Sequence, residues 1–157
     1  MPRINPPDLP RPSTAANGPR VGHLLGSKLA AHDEPAVVLL GFPSDVGVQR
    51  NGGRAGAADG PRAIRAALYR LVPDPRDARL EDLLRRTRDL GDLEVTGNLE
   101  ADQRTLGAVL LPHLQRGTFV IVLGGGHETS FGHFLSYAVA GRSVEILNWV
   151  RTRTCAS

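Results

Sequence analysis

Two stretches of this chain, Ala36-Val-Val-Leu-Leu-Gly-Phe42 and Thr118-Phe-Val-Ile-Val-Leu123, carry no charge and almost no polar group. A strand with one wet face alternates apolar and polar residues. An unbroken apolar run needs cover on both faces. Pro35 and Pro43 bound the first run, and glycines bound the second. Helical spacings lie between and after them. Ile64, Ala67, Leu68 and Leu71 fall at i, i+3, i+4 and i+7, which predicts an inward apolar stripe. Asp59-Gly60-Pro61 opens that helix, with Pro61 at a first position that needs no N–H, and Pro73 and Pro75 end it. Further helices are expected near 78–86, over 99–115 and over 129–140. Asp89-Leu-Gly-Asp-Leu93 reads as a strand running into a turn, and Ser143-Val-Glu-Ile-Leu-Asn148 as a fourth strand. Strand and helix alternate throughout, which predicts an α/β fold with a parallel sheet and helices on its faces.

The 157 residues are 41% hydrophobic, enough for one domain with a real core. No apolar run approaches the length of a membrane-spanning helix, so a membrane partner is not expected. The lone Cys155 excludes an internal disulfide framework and a cysteine-rich zinc site. The formal charge is +3, and every basic residue but Lys28 is arginine. These arginines are scattered among acids, with one small cluster at Arg85, Arg86 and Arg88. Aromatics make up only 4%, leaving few rings to stack on bases, so nucleic acid is not expected as a partner. Residues 1–20 are rich in proline and have no signal-peptide core. They read as a flexible N-terminal arm, and the cytoplasm is the expected address.

In open parallel sheets, sites form at the carboxyl ends of strands. Two such ends are unusual here. One is the glycine-rich loop over residues 43–60, with Ser44-Asp45-Val46-Gly47 and Asn51-Gly52-Gly53-Arg54. The other is Leu123-Gly124-Gly125-Gly126-His127-Glu128, where glycines permit a tight turn and leave an imidazole and a carboxylate at the sheet's mouth. A neutral imidazole there can ligate a transition metal. The same residues also read as a plain glycine turn with an incidental histidine. A phosphate cradle is a weaker reading, because neither G-x-G-x-x-G nor a P-loop spacing is present. His113 and His133 lie on helical stretches, and His23 and His32 precede the first strand. All four read as surface or packing histidines. Asp45, Asp89 and Asp92 lie at strand ends, where Asp89 and Asp92 are expected to cap or pair. One imidazole alone cannot hold a catalytic metal.

The stretch from Gly41-Phe-Pro-Ser-Asp45 through Asn51-Gly-Gly-Arg54 to Gly60-Pro-Arg-Ala-Ile-Arg65 resembles the ureohydrolase family of arginases, agmatinases and formimidoylglutamases. Val21-Gly-His-Leu-Leu25 and Ala66-Ala-Leu-Tyr-Arg-Leu71 tilt the resemblance toward formimidoylglutamase. Asp89-Leu-Gly-Asp92 and Gly124-Gly-Gly-His-Glu128 follow in family order. The resemblance covers about residues 21–148. It implies a three-layer α/β/α fold, here about the first half of it, and two manganese ions with His127 as the first metal ligand. It implies an enzyme, a hydrolase of C–N bonds in a linear amidine, in which the metal pair activates a hydroxide that attacks the amidine carbon. For formimidoylglutamase the reaction converts formimidoylglutamate and water to glutamate and formamide, in histidine degradation. Agmatinase or arginase chemistry is the alternative within the family. A non-catalytic α/β fragment or interaction protein, or a nucleotide-binding domain, are the alternatives outside it. The expected partner is a small amidine, with a homo-oligomer left open.

The family carries further carboxylate motifs after the strand ending near Asn148. Here the chain reads Trp149-Val-Arg-Thr-Arg-Thr-Cys-Ala-Ser157 instead. GC-rich codons for this tail (TGG GTG CGC ACC CGG ACC TGC GCG), read two bases on, give Gly-Ala-His-Pro-Asp-Leu-Arg. That is close to the family's Asp-x-His-x-Asp motif. Residues 149–157 are therefore expected to be a frameshifted tail on a truncated, inactive chain.

Overall fold

A computed structural model describes residues 2–9 and 18–147. Strand β1 (Ile4–Asn5) and helix α1 (Val21–Leu24) precede β2 (Val37–Phe42). Helices α2 (Val46–Arg50), α3 (Gly60–Arg70) and α4 (Ala78–Arg85) lead to β3 (Thr87–Leu93). Helix α5 (Leu99–Gln115), β4 (Phe119–Gly124) and α6 (Thr129–Val139) follow. The sheet order is β1-β3-β2-β4, with β2 parallel to both β3 and β4.

The apolar run of β2 is buried at all six positions, as a central strand covered on both faces must be. Alternate side chains divide it between two cores. Val38, Leu40 and Phe42 meet Leu93, Leu106, Leu110, Leu114 and Val120, so α5 lies on that face, with Tyr137 of α6 at its margin. Val37 and Leu39 meet Val21, Leu25 and Tyr69, bringing α1 and α3 to the other. Helices lie on both faces, as the alternation of elements predicts, in the three layers that the family resemblance implies.

Four expectations change. The arm is not free throughout, because Ile4 and Asn5 pair antiparallel with Leu93 and Asp92 and cap the outer edge of β3. Gly91 makes that approach possible. Its φ is +96°, and a β-carbon there would stand 1.9 Å from the Asn5 carbonyl oxygen. The 43–60 loop is not structureless, since it holds α2 and a 3₁₀ turn over Ala57–Asp59. Residues 143–147 form no strand. A strand needs a ladder partner, and this segment instead lines a cavity against Phe134 and Tyr137 of α6. Asn148 and the 149–157 tail lie outside the described residues.

The fourth change concerns α3. Its expected inward stripe faces out, with Ile64 47% and Leu71 56% exposed and Leu68 only partly buried. Pro61, Arg65 and Tyr69 point inward instead. Arg65 is 1% exposed, and its Nε and Nη2 donate to the two carboxylate oxygens of Asp89 at 2.7 and 3.2 Å. Nη1 donates to Asp92 Oδ1 at 2.9 Å, and Nη2 also to the Gly91 carbonyl at 3.1 Å. The Tyr69 hydroxyl donates to Asp89 Oδ2 at 2.9 Å. Burial works against the Arg65 charge, but the bonds and charges of Asp89, and then of Asp92, outweigh it and hold the guanidinium above its ordinary range. A buried charge is tolerated only when paired and hydrogen-bonded in this way. That demand, not apolar periodicity, sets the rotation of α3.

Strand β4 stands at the open end of the sheet. Its register places Phe119 and Ile121 beside Val37 and Leu39, on the α1–α3 face. Among the described residues that part of the face is thinly covered, and the two side chains remain 65% and 39% exposed.

Candidate functional site

The carboxyl ends of β2 and β4 lie side by side, and the loops that follow them interlock. The Gly125 N–H donates to the Phe42 carbonyl at 3.0 Å and the Gly126 N–H to the Ser44 carbonyl at 2.7 Å. A β-carbon on Gly125 would sit 2.0 Å from the Ser44 oxygen, so only glycine allows the backbones this close. These bonds also weigh against the phosphate-cradle reading. Two of the amides that would hold a phosphate are already used within the protein.

The turn places His127 directly before α6, exposed at the strand ends. It borders a cavity of about 700 Å³ shared with Gly47, Val48, Arg50, Asn51 and Phe131. The next residue, Glu128, turns its side chain toward the other loop. Its Oε1 accepts from the Gly47 N–H at 3.0 Å and lies 3.4 Å from Ser44 Oγ. Gln103 of α5 donates to the Glu128 carbonyl at 2.9 Å, and Thr129 Oγ1 donates to the Gly126 carbonyl at 2.8 Å. The turn is thus held from the β2 loop and from α5.

The other candidates have structural work. Asp89 and Asp92 pair with Arg65, as expected of them. Asp45 accepts from Gln49 Nε2 at 2.7 Å and from the Gly56 N–H at 2.8 Å, closing its own loop. The Gly56 N–H is the main reason its carboxyl is held below the usual range. His23 Nδ1 accepts from the Arg20 N–H at 3.1 Å at the start of α1, and His32 is exposed. Among the described residues, no three His, Cys, Asp or Glu side chains come together as a metal would require. Sequence reasoning did not single out Glu128 as the tie between loops, nor Arg65 as the buried cation. Arg65 sat in plain view, as an arginine in phase with Pro61 and Tyr69 on a helix.

His113 and His133 are packing residues. Burial pushes both imidazoles below the ordinary histidine range, and the Arg116 charge adds to this at His113. Neither His113 Nδ1 nor His133 Nε2 has a hydrogen-bond partner among the described residues. The unfolded chain therefore binds protons more readily, because its histidines titrate near about 6.5. The contribution of the two neutral side chains is complete above that pH and is lost as pH falls through it toward the lower folded values. The urea midpoint should drop between about pH 7 and about pH 5, and the drop should shrink in a His113→Gln, His133→Gln double variant. An equal drop in the double variant would disprove this account.

With this geometry in view, the likeness to known proteins is specific. The arginase-family model matches residues 35–149. Formimidoylglutamase of Rhodococcus opacus is 47% identical over 119 residues, covering 72% of this chain and 35% of that protein. The Rhodococcus jostii enzyme is 48% identical over 126 residues, covering 74% and 37%. A crystal structure of Trypanosoma cruzi formiminoglutamase with two Mn²⁺ superposes with a TM-score of 0.64 at 33% identity, over 78% of this chain and 40% of that one. The chain thus spans little more than a third of the length of these curated relatives. No helix among the described residues is long and apolar enough to cross a membrane. With the family model matched across β2, β3 and β4, both interlocked loops and His127, the chain belongs to the arginase family.

Proposed function

We propose that this chain is the N-terminal part of a formimidoylglutamase, a hydrolase that converts formimidoylglutamate and water to glutamate and formamide. The observation that carries the reading is His127, exposed at the carboxyl end of β4 beside the β2 loop and a cavity, in a chain 47–48% identical to two formimidoylglutamases over 119 and 126 residues. In this reading His127 is one ligand of a manganese centre. Such an ion, when bound, supplies a Lewis acid and an activated water.

The described residues do not by themselves fit a two-metal centre. They bring one imidazole to the strand ends and no cluster of three donors. No hydrolytic step is therefore assigned to this chain alone, and the 157 residues are inactive by themselves in this reading. What they contribute is a rigid turn that holds the imidazole, and one wall of a cavity of about 700 Å³ for a small amidine.

A single imidazole gives an ion little affinity and little selectivity. Calorimetry with Mn²⁺ should show only weak binding, and His127→Ala should abolish it. Tight stoichiometric binding, or weak binding indifferent to His127→Ala, would contradict the assignment.

A further inference from the structure

Glu128 has no chemical role in the reading above, yet it is the residue most tied across the site. Its carboxylate reaches from the head of α6 to the Gly47 N–H and Ser44 Oγ, at the start of the loop that carries α2. That short helix supplies Gly47, Val48 and Arg50 to the wall of the cavity beside His127. At its carbonyl, Glu128 is held by Gln103 of α5. One residue therefore joins the glycine-rich loop to α5, immediately next to His127.

The other bonds of this loop hold less of it: the Gly126 N–H to Ser44 carbonyl bond fixes only its first residue, ahead of α2. Asp45 binds Gln49 and Gly56, both inside the loop, and so shapes it without anchoring it. Arg50 pairs with Glu100 at the start of α5, but both side chains are half exposed. Exposed ion pairs contribute little. A carboxylate accepting a main-chain N–H in a partly buried place is about twice as strong as a neutral hydrogen bond.

We propose that Glu128 is a positioning residue. Its carboxylate latches the 44–56 loop onto the turn that carries His127, and so sets both the mouth of the cavity and the stance of the imidazole. The functional importance of that stance rests on the reading of His127 given above. The latch itself is tested without metal, so its failure and the failure of that reading are separate results.

The test compares the wild-type chain with Glu128→Ala and Glu128→Gln. Trypsin cuts after Arg50 and Arg54 in the loop, and after Arg104 in the middle of α5. The ratio of loop cleavage to Arg104 cleavage reports local release rather than global opening. In parallel, ¹⁵N-histidine spectra follow the His127 ring, identified with His127→Gln. In Glu128→Ala the ratio should rise about tenfold, the loss expected of one charged hydrogen bond, and the His127 resonance should move or broaden. Glu128→Gln should restore a large part of both, because its amide oxygen still accepts from the Gly47 N–H, though without the charge. The proposal is overturned if Glu128→Ala leaves the ratio and the resonance unchanged. General unfolding that raises all cuts equally overturns it too, as does Glu128→Gln behaving like the alanine variant.

Discussion

Replacing Arg65 by methionine should remove a large share of the stability of this chain. Methionine is near in length and apolar, so the loss tests the charge and its hydrogen bonds rather than a void. Arg65 is 1% exposed and is bonded to Asp89, Asp92 and the Gly91 carbonyl. Taking it away leaves the Asp89 carboxylate, itself only 6% exposed, facing Tyr69 and the Gly91 N–H without its cation. Breaking a buried pair by removing one partner costs about 3–5 kcal/mol. A domain of this kind has only about 5–15 kcal/mol in total. The effect should be read from urea denaturation followed by circular dichroism. An Asp89→Asn, Arg65→Met double variant should be less damaged than the sum of its singles, because the pair is coupled. Were Arg65→Met to move the midpoint by no more than a surface substitution does, the buried network would not be what orients α3.

The second large effect concerns catalysis. The 157-residue chain should release no formamide from formimidoylglutamate in the presence of Mn²⁺. A chain continued to the full length of its Rhodococcus relatives should turn the substrate over. The reason is the donor count. A catalytic metal needs about three protein ligands, and a metal pair needs more. The described residues supply His127 and no cluster around it. The contrast runs from no detectable product to ordinary turnover, and formamide release measures it directly. Turnover by the short chain, abolished in His127→Ala, would mean that its donors come from somewhere this account has not placed them.

Much of this was legible in the sequence, because the signals were local. The unbroken apolar run of β2 announced a strand buried on both faces, and the prolines and glycines around α3, α5 and β4 set their ends within a residue or two. The glycine turn before His127 also read true, since only glycine fits where two loops cross. The misses share another character. The inward side of α3 depends on acids some two dozen residues away on β3, and no window along the helix contains them. Periodicity counts apolar residues, and here the buried one was an arginine. Ile4 and Asn5 gain order only from an edge of β3, whereas residues 143–147 pair with no strand although the edge of β4 stands open. Pairing across a sheet is decided by what stands alongside. The ligand role proposed for His127 rests on family likeness, because a lone histidine has no spacing to read.

The spatial order β1-β3-β2-β4 also fixes an order in time. As the chain leaves the ribosome, the middle strand emerges before either of its parallel neighbours, and the sheet widens from that seed in both directions. One margin is sealed by residues made at the very beginning, so Ile4 and Asn5 must wait for β3 before they have anything to hold. The other margin is the last strand among the described residues, and from Gly117 to Gly126 it passes without a single charge. A nascent chain paused here offers an uncharged ribbon with its ladder groups on one side unpaired, a ready surface for a holdase or for another copy. Until something covers that ribbon, β4 is the part of the described sheet that adheres most readily.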